Sequence, residues 1–94
     1  MIGRIPISVY YVYILLLNNG QLYTGYTVNL RTRFKEHRQG KVSSTKLRRP
    51  IKLIHYEAYS KKSDAQRRER YLKTTEGKRF LRQQIRDLLE DLEA

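Results

Sequence analysis

Glu69 is the side chain whose position most needs an explanation. Ala65 lies four positions before it and Leu72 three after it, so on a helix its carboxylate shares a stripe with two core residues. An ionised carboxylate beside a core must be paired with a cation or bound to a metal. A salt bridge to one of the many arginines is one answer, and a divalent ion is the other. With no cysteine and only His37 and His55 as imidazoles, thiolate sites and multi-histidine clusters are excluded. Any metal is then Mg²⁺ or Mn²⁺, held by carboxylate, water and a substrate phosphate. Arg33 stands next to the Leu30 and Phe34 positions, where its guanidinium can grip a phosphate through two parallel hydrogen bonds or lie solvated among 20 basic residues. His37, one turn later, can contact phosphate, donate to a leaving oxygen or make a structural hydrogen bond. Eight tyrosines exceed what a small core needs. Most are packing residues with hydroxyls at the rim, and Tyr13 or Tyr23 can deprotonate water only where a nearby cation or metal-bound water helps.

These residues must be carried by a small α/β layer. Tyr10 to Leu17 is β-branched, aromatic or leucine without a charge, which predicts a strand buried on both faces. Asn18, Asn19 and Gly20 form the turn, and Gln21 to Tyr26 return. Two registers are open. A two-residue turn at Asn19 and Gly20 sets Tyr13 opposite Tyr26 and puts Tyr23 on the other face. A three-residue loop with Gly20 left-handed sets Leu17 opposite Gln21 and Tyr13 opposite Gly25, so both tyrosines share a face. Asn29 caps a first helix through Arg38, with Gly40 at its end and Leu30 and Phe34 as core anchors. Gly40 to Pro50 is a basic polar loop, and a third strand runs from Ile51 to about Tyr59. A Ser63-Asp64-Ala65-Gln66 capping box opens a second helix to about Lys73. Thr74 to Gly77, with Thr75 as cap and Gly77 weakening an uninterrupted helix, separates it from a third helix carrying Phe80, Leu81, Ile85, Leu88, Leu89 and Leu92, whose apolar face either completes the core or supports a weak homodimer. The expectation is one domain, residues 1–94, with a three-stranded, mainly antiparallel sheet and about three helices. Gly20 and Gly25 are too few for a phosphate-cradling loop, and Glu90, Asp91 and Glu93 read as a solvated end.

The chain has 94 residues and a formal net charge of +11. One modest core is the ceiling at this size. So much positive charge on a compact domain points to a polyanionic partner, nucleic acid before an anionic membrane or a basic assembly role. Ile5 to Leu17 superficially resembles a secretory leader. Pro6, Ser8 and three tyrosines interrupt it, no small-residue cleavage site follows, and it is too short to span a bilayer, so a cytoplasmic location and no membrane partner are expected.

Tyr11-Val12-Tyr13, followed by Tyr23-Thr24-Gly25, resembles the paired motifs of the GIY-YIG nuclease superfamily. Asn29-Leu30, Arg33, His37 and the later Glu69 match the rest of its active-site pattern. The resemblance runs from about Val9 to Phe80, and the pattern is most similar to small stand-alone members related to the nuclease domain of the excision-repair subunit UvrC. Tyr11, Val12 and Thr24 depart from the motif letters at positions that shape packing. Tyr26 stands where the repair relatives tend to have lysine, which removes a charge near the site.

The resemblance implies a metal-dependent endonuclease of GIY-YIG-like fold, with DNA repair as its setting. Tyr13 and Tyr23 would lie beside the attacking water, with Tyr13 assigned as base and Tyr23 as the alternative. Arg33 would stabilise the scissile phosphate, His37 would assist proton transfer or phosphate contact, and Glu69 would hold one Mg²⁺ or Mn²⁺ ion. The products would carry 5′-phosphate and 3′-hydroxyl ends. It also favours the three-residue loop, because both tyrosines must reach one cleft. Arg31, Lys35, Lys41, Lys46, Arg48, Arg49, Arg67, Arg68 and Arg70 are the candidate DNA contacts. They would supply affinity for backbone phosphate and little base readout. DNA is the expected substrate and RNA is not excluded, since nothing here reads a 2′-hydroxyl.

Overall fold

The computed structural model describes residues 8–93. The Ile5–Ile7 part of the leader-like segment lies outside them. Strand β1 (Tyr10–Leu16) is central, with β2 (Leu22–Thr27) on one side and β3 (Lys52–Tyr59) on the other, all antiparallel. The uncharged run of β1 is explained by this position, since both its faces are covered. Val12 and Ile14 pack with Ala65, Leu72, Leu81 and Ile85, while Tyr13, Leu15 and Leu17 pack on the opposite face with Ile51, Leu30, Phe34 and Leu53. The second set lies under helix α1 (Leu30–Arg38) and the first under α2 (Lys62–Leu72) and α3 (Thr75–Gln84).

The hairpin takes the three-residue loop. Leu17 N–H donates to Gln21 O at 2.9 Å, Gly20 has φ +84°, and Tyr13 sits opposite Gly25. Asn29 caps α1 as expected, its side chain accepting from Thr32 N–H at 3.1 Å, and Gly40 follows the helix end with φ +75°. On the other edge the β1–β3 register shifts between Ile14 and Leu15, leaving Ile54 unpaired between Leu53 and His55.

Four expectations about the helices are corrected. Helix α2 begins at Lys62 with Lys61 as its cap residue, so Ser63 lies inside the first turn and makes no capping box. Thr74, not Thr75, caps α3, accepting from Gly77 N–H at 3.0 Å. Gly77 is not a helix breaker. A Cβ there would come within 2.0 Å of Tyr71 O, so glycine is what lets the start of α3 press onto the end of α2. The single third helix is divided as well: Ile85, at φ −108° and ψ 28°, ends α3, and α4 (Arg86–Glu93) follows. Ile85 is buried in the core beside Val12 and Ile14, and Leu88 and Leu89 pack against the same cluster. The break keeps these residues on the sheet, as a straight helix of this length over a twisted surface would not. Among the described residues no helix is long and apolar enough to cross a membrane.

Candidate active site

Tyr13 on β1 and Tyr23 on β2 stand on the α1 face, their rings 6.4 Å apart. Gly25 makes room for this. A Cβ on it would lie 2.2 Å from Tyr13 Cζ and 2.3 Å from its hydroxyl, so the Tyr13 ring crosses the second strand only because position 25 has no side chain. The His37 ring is placed edge-on between the two phenols, 5.5 Å from Tyr13 and 5.3 Å from Tyr23.

A hydrogen-bonded chain runs through the imidazole. Tyr13 Oη lies 2.8 Å from His37 Nε2, and His37 Nδ1 lies 2.7 Å from Thr45 Oγ1, which itself donates to Val42 O at 3.5 Å. With the threonine proton directed to the carbonyl, Nδ1 carries hydrogen and donates, and Nε2 accepts from Tyr13. Burial lowers the His37 pKa to about 4, helped by the positive charge of Arg33, so the imidazole is neutral and able to accept. Burial likewise raises Tyr13 to about 12, and Arg33 beside it offsets part of that rise. Glu69 reaches the same hydroxyl through space, its negative charge adding to the rise.

These facts bear on the roles expected of His37 and Tyr13. His37 and Tyr13 are buried, at 0% and 1% exposure. Both His37 nitrogens are engaged, by Tyr13 and by Thr45, so in this structure the imidazole makes structural hydrogen bonds and turns no free nitrogen toward solvent. Tyr13, sealed and donating to His37, is poorly placed to take a proton from water. Tyr23 is half-buried, and its hydroxyl accepts from Ser44 at 3.3 Å on the exposed side of the layer.

Arg33 and Glu69 are the remaining two residues of the expected set. The Arg33 guanidinium is partly exposed and donates to Glu36 at 3.1 Å. Its charge is favoured chiefly by Tyr13. Glu69 is mostly shielded, and one carboxylate oxygen lies 3.2 Å from Lys73 Nζ. No three histidine, cysteine, aspartate or glutamate side chains gather among the described residues. A single carboxylate with no soft donor beside it fits a hard, largely hydrated ion such as Mg²⁺ or Mn²⁺.

Residues 9–83 match the model of the GIY-YIG catalytic domain. The chain belongs to the GIY-YIG family. A UPF0213 protein of Staphylococcus haemolyticus is 43% identical over 83 residues, which are 87% of this chain and 95% of that protein. A UPF0213 protein of Staphylococcus epidermidis is 44% identical over 66 residues, covering 69% of this chain and 80% of its own. The solution NMR structure of a UPF0213 protein from Bacillus halodurans matches with a TM-score of 0.52 and 37% identity, over 78% of this chain and 81% of that one. The matched segment spans 80% or more of each of these relatives.

The basic residues divide unevenly. Arg31, Lys35, Lys41, Lys46, Arg48 and Arg70 are exposed. Arg67 is exposed but paired with Asp64. Arg49 is laid over Gly40 and donates to the carbonyls of Lys46 and Arg38 at 3.0 and 3.2 Å, tying the basic loop to the end of α1. Arg68 points inward: it grips Glu57 with two hydrogen bonds, 2.9 and 3.2 Å, and reaches Gln84 at 3.3 Å. Its guanidinium is committed to holding α2 and α3 on β3. Tyr26, in the place of lysine, packs into the α2 side of the core, where its hydroxyl is buried without a partner among the described residues. Sequence reasoning missed Thr45 and Ser44, both on the loop after α1. A paired serine and threonine in a loop otherwise rich in cations was the available signal, and it named no partner.

Proposed function

We propose that this GIY-YIG protein is a divalent-metal-dependent endonuclease that hydrolyses DNA phosphodiester bonds, directed by substrate structure or only weakly by sequence, and acting in the cytoplasm. The observation that carries the reading is the gathering of two phenols and an arginine around one buried neutral imidazole, with the Glu69 carboxylate near enough for its charge to act on Tyr13. Packing alone does not call for it. Tyr23, the accessible phenol, is assigned the contact with the attacking water. Tyr13 holds its proton, and through its bond to His37 and its proximity to Arg33 it fixes the layer in which Tyr23 works. Arg33 is charged and partly open, so it can bind a nonbridging phosphate oxygen as negative charge develops. Glu69 would hold the single Mg²⁺ or Mn²⁺ ion, which when bound would neutralise charge at the departing 3′ oxygen.

The Lys73 ammonium beside Glu69 favours a second reading, a nucleic-acid-binding module with weak or no catalysis, because a metal must displace it. Mg²⁺-dependent cleavage of single-stranded, duplex, nicked and flap DNA separates the two. Wild type is expected to cut at least one of these, and Glu69→Ala to lose about three orders of magnitude in rate. Binding without cleavage across the panel would favour the second reading, and equal cleavage by the variant would remove the metal role from Glu69.

A further inference from the structure

The loop that walls the site also carries the most exposed large apolar side chain among the described residues. Leu47 is 83% exposed and sits between Lys46 and Arg48 on a 3₁₀ turn. A lone surface leucine ordinarily needs no explanation. This one is held out rigidly, however, and its frame belongs to the site.

The rigidity comes from both ends of the turn. Lys46 N–H donates to Val42 O and Arg48 N–H to Thr45 O, each at 2.9 Å. Asn18 of the hairpin loop donates from its backbone to Arg48 O at 2.9 Å and from its side chain to Arg49 O at 2.8 Å. The Arg49 guanidinium closes the frame onto the end of α1. Thr45, two residues before Leu47, is buried on His37, and Ser44 donates to the Tyr23 hydroxyl. Leu47 therefore stands in a fixed relation to the phenols.

We propose that Leu47 is a wedge that packs between DNA bases flanking the scissile phosphate, while Lys46 and Arg48 hold the backbone phosphates on either side. An apolar protein surface would cover the leucine and leave both cations unpaired. Nucleic acid satisfies all three, because apolar base faces lie within a few ångströms of phosphates. A small apolar wedge must unstack a base step, and that cost is least where stacking is already broken. The substrate class is therefore DNA interrupted at the cut position, a nick, flap or mismatch, in preference to intact duplex. This inference rests on the nuclease reading and names its substrate.

The test uses the full chain in EDTA, with 2-aminopurine beside the nick of a nicked duplex, so that binding is seen without cleavage. Wild type is expected to raise the fluorescence and to prefer nicked over intact duplex. Leu47→Ala should lose the rise and bind the nicked duplex about tenfold more weakly, with little change on intact duplex and an unchanged thermal melt. Leu47→Phe should restore the signal. An alanine variant that matches wild type in fluorescence and affinity overturns the wedge, as does a sedimenting dimer that Leu47→Ala dissolves. The outcomes are separable from those of the cleavage panel. A fluorescence rise without cleavage removes the nuclease reading alone, and Glu69-dependent cleavage without a rise removes only the wedge.

Discussion

Two polar clusters are built from nearly the same parts on opposite faces of the sheet. Under α1 they are Tyr13, His37 and Arg33; under α2 they are Tyr59, His55 and Arg68. The difference is one carboxylate. Glu57 lies at the centre of the second cluster, accepting from Tyr59 at 2.7 Å and from Arg68 twice, and lying 3.2 Å from His55. These partners hold Glu57 below the usual carboxylate range against the opposing effect of burial. Tyr59 is raised to about 12 by burial and by its bond to Glu57. In the first cluster no carboxylate among the described residues hydrogen-bonds to Tyr13 or His37. Its imidazole is neutral, and the carboxylate that Arg33 meets is the partly exposed Glu36 at the surface. An arginine whose fork is filled by an internal carboxylate is structural; one that faces phenols and solvent can take an anion from outside.

The largest effect that tests this contrast is on rate. Arg33→Ala should lower cleavage of the best DNA substrate by about 10²–10³-fold while leaving the thermal midpoint nearly unchanged, as expected for a partly exposed side chain. Single-turnover rates and a melting curve on the same preparation check both halves. If Arg33→Ala cuts like wild type, the α1 cluster is a packing arrangement and the comparison collapses.

Arg68→Ala should do the reverse. Removing it leaves the Glu57 carboxylate, 16% exposed, without its guanidinium. The expected cost is roughly 2–3 kcal/mol of stability, at the low end for a broken buried pair because some solvent reaches it. For a domain of this size that lowers the midpoint by about 10 °C. The cleavage rate per folded molecule should stay near wild type at a temperature where both are native. A weakened DNA affinity with unchanged melting would instead return Arg68 to the docking surface where its sequence placed it.

How far each cluster was legible in the sequence follows from how it is made. Tyr13, Tyr23, Arg33, His37 and Glu69 could be named as candidates because their spacing resembles a known pattern and because a carboxylate in a core stripe needs a partner. The strands were legible from the uncharged run of β1 and the Asn-Asn-Gly turn, but the register was not. It depends on Gly25 leaving room for the Tyr13 ring, a contact between strands that no local pattern encodes. The tie from His37 to Thr45 and that from Glu57 to Arg68 join residues eight and eleven positions apart across separate elements. Among 20 basic residues nothing marked Arg68 as the one turned inward. The capping box failed for a related reason, since Ala65 N–H closes the first turn onto Lys61 O and leaves Ser63 no orphan donor to serve.

The smallest expected effect sharpens the comparison by pH. His37 has its pKa lowered from 6.5 to about 4 in the folded protein. The unfolded chain therefore binds a proton that the native state refuses as pH falls through this range. Its contribution to stability is complete above about pH 6.5 and is lost progressively toward pH 4, at up to about 1.4 kcal/mol per pH unit. Glu57 has the same sign but a lower window, because its pKa is depressed from a starting value of 4.5. Loss above that value reports the neutral cluster and further loss below it the ionic one. Urea melts at closely spaced pH values should show the first decline in wild type and a flatter profile in His37→Gln, with the Glu57 decline kept in both. An imidazole that titrates near 6.5 by NMR in the folded chain would show His37 to be open to water. It would then be able to reach phosphate, and the division of labour between Tyr13 and Tyr23 would have to be redrawn.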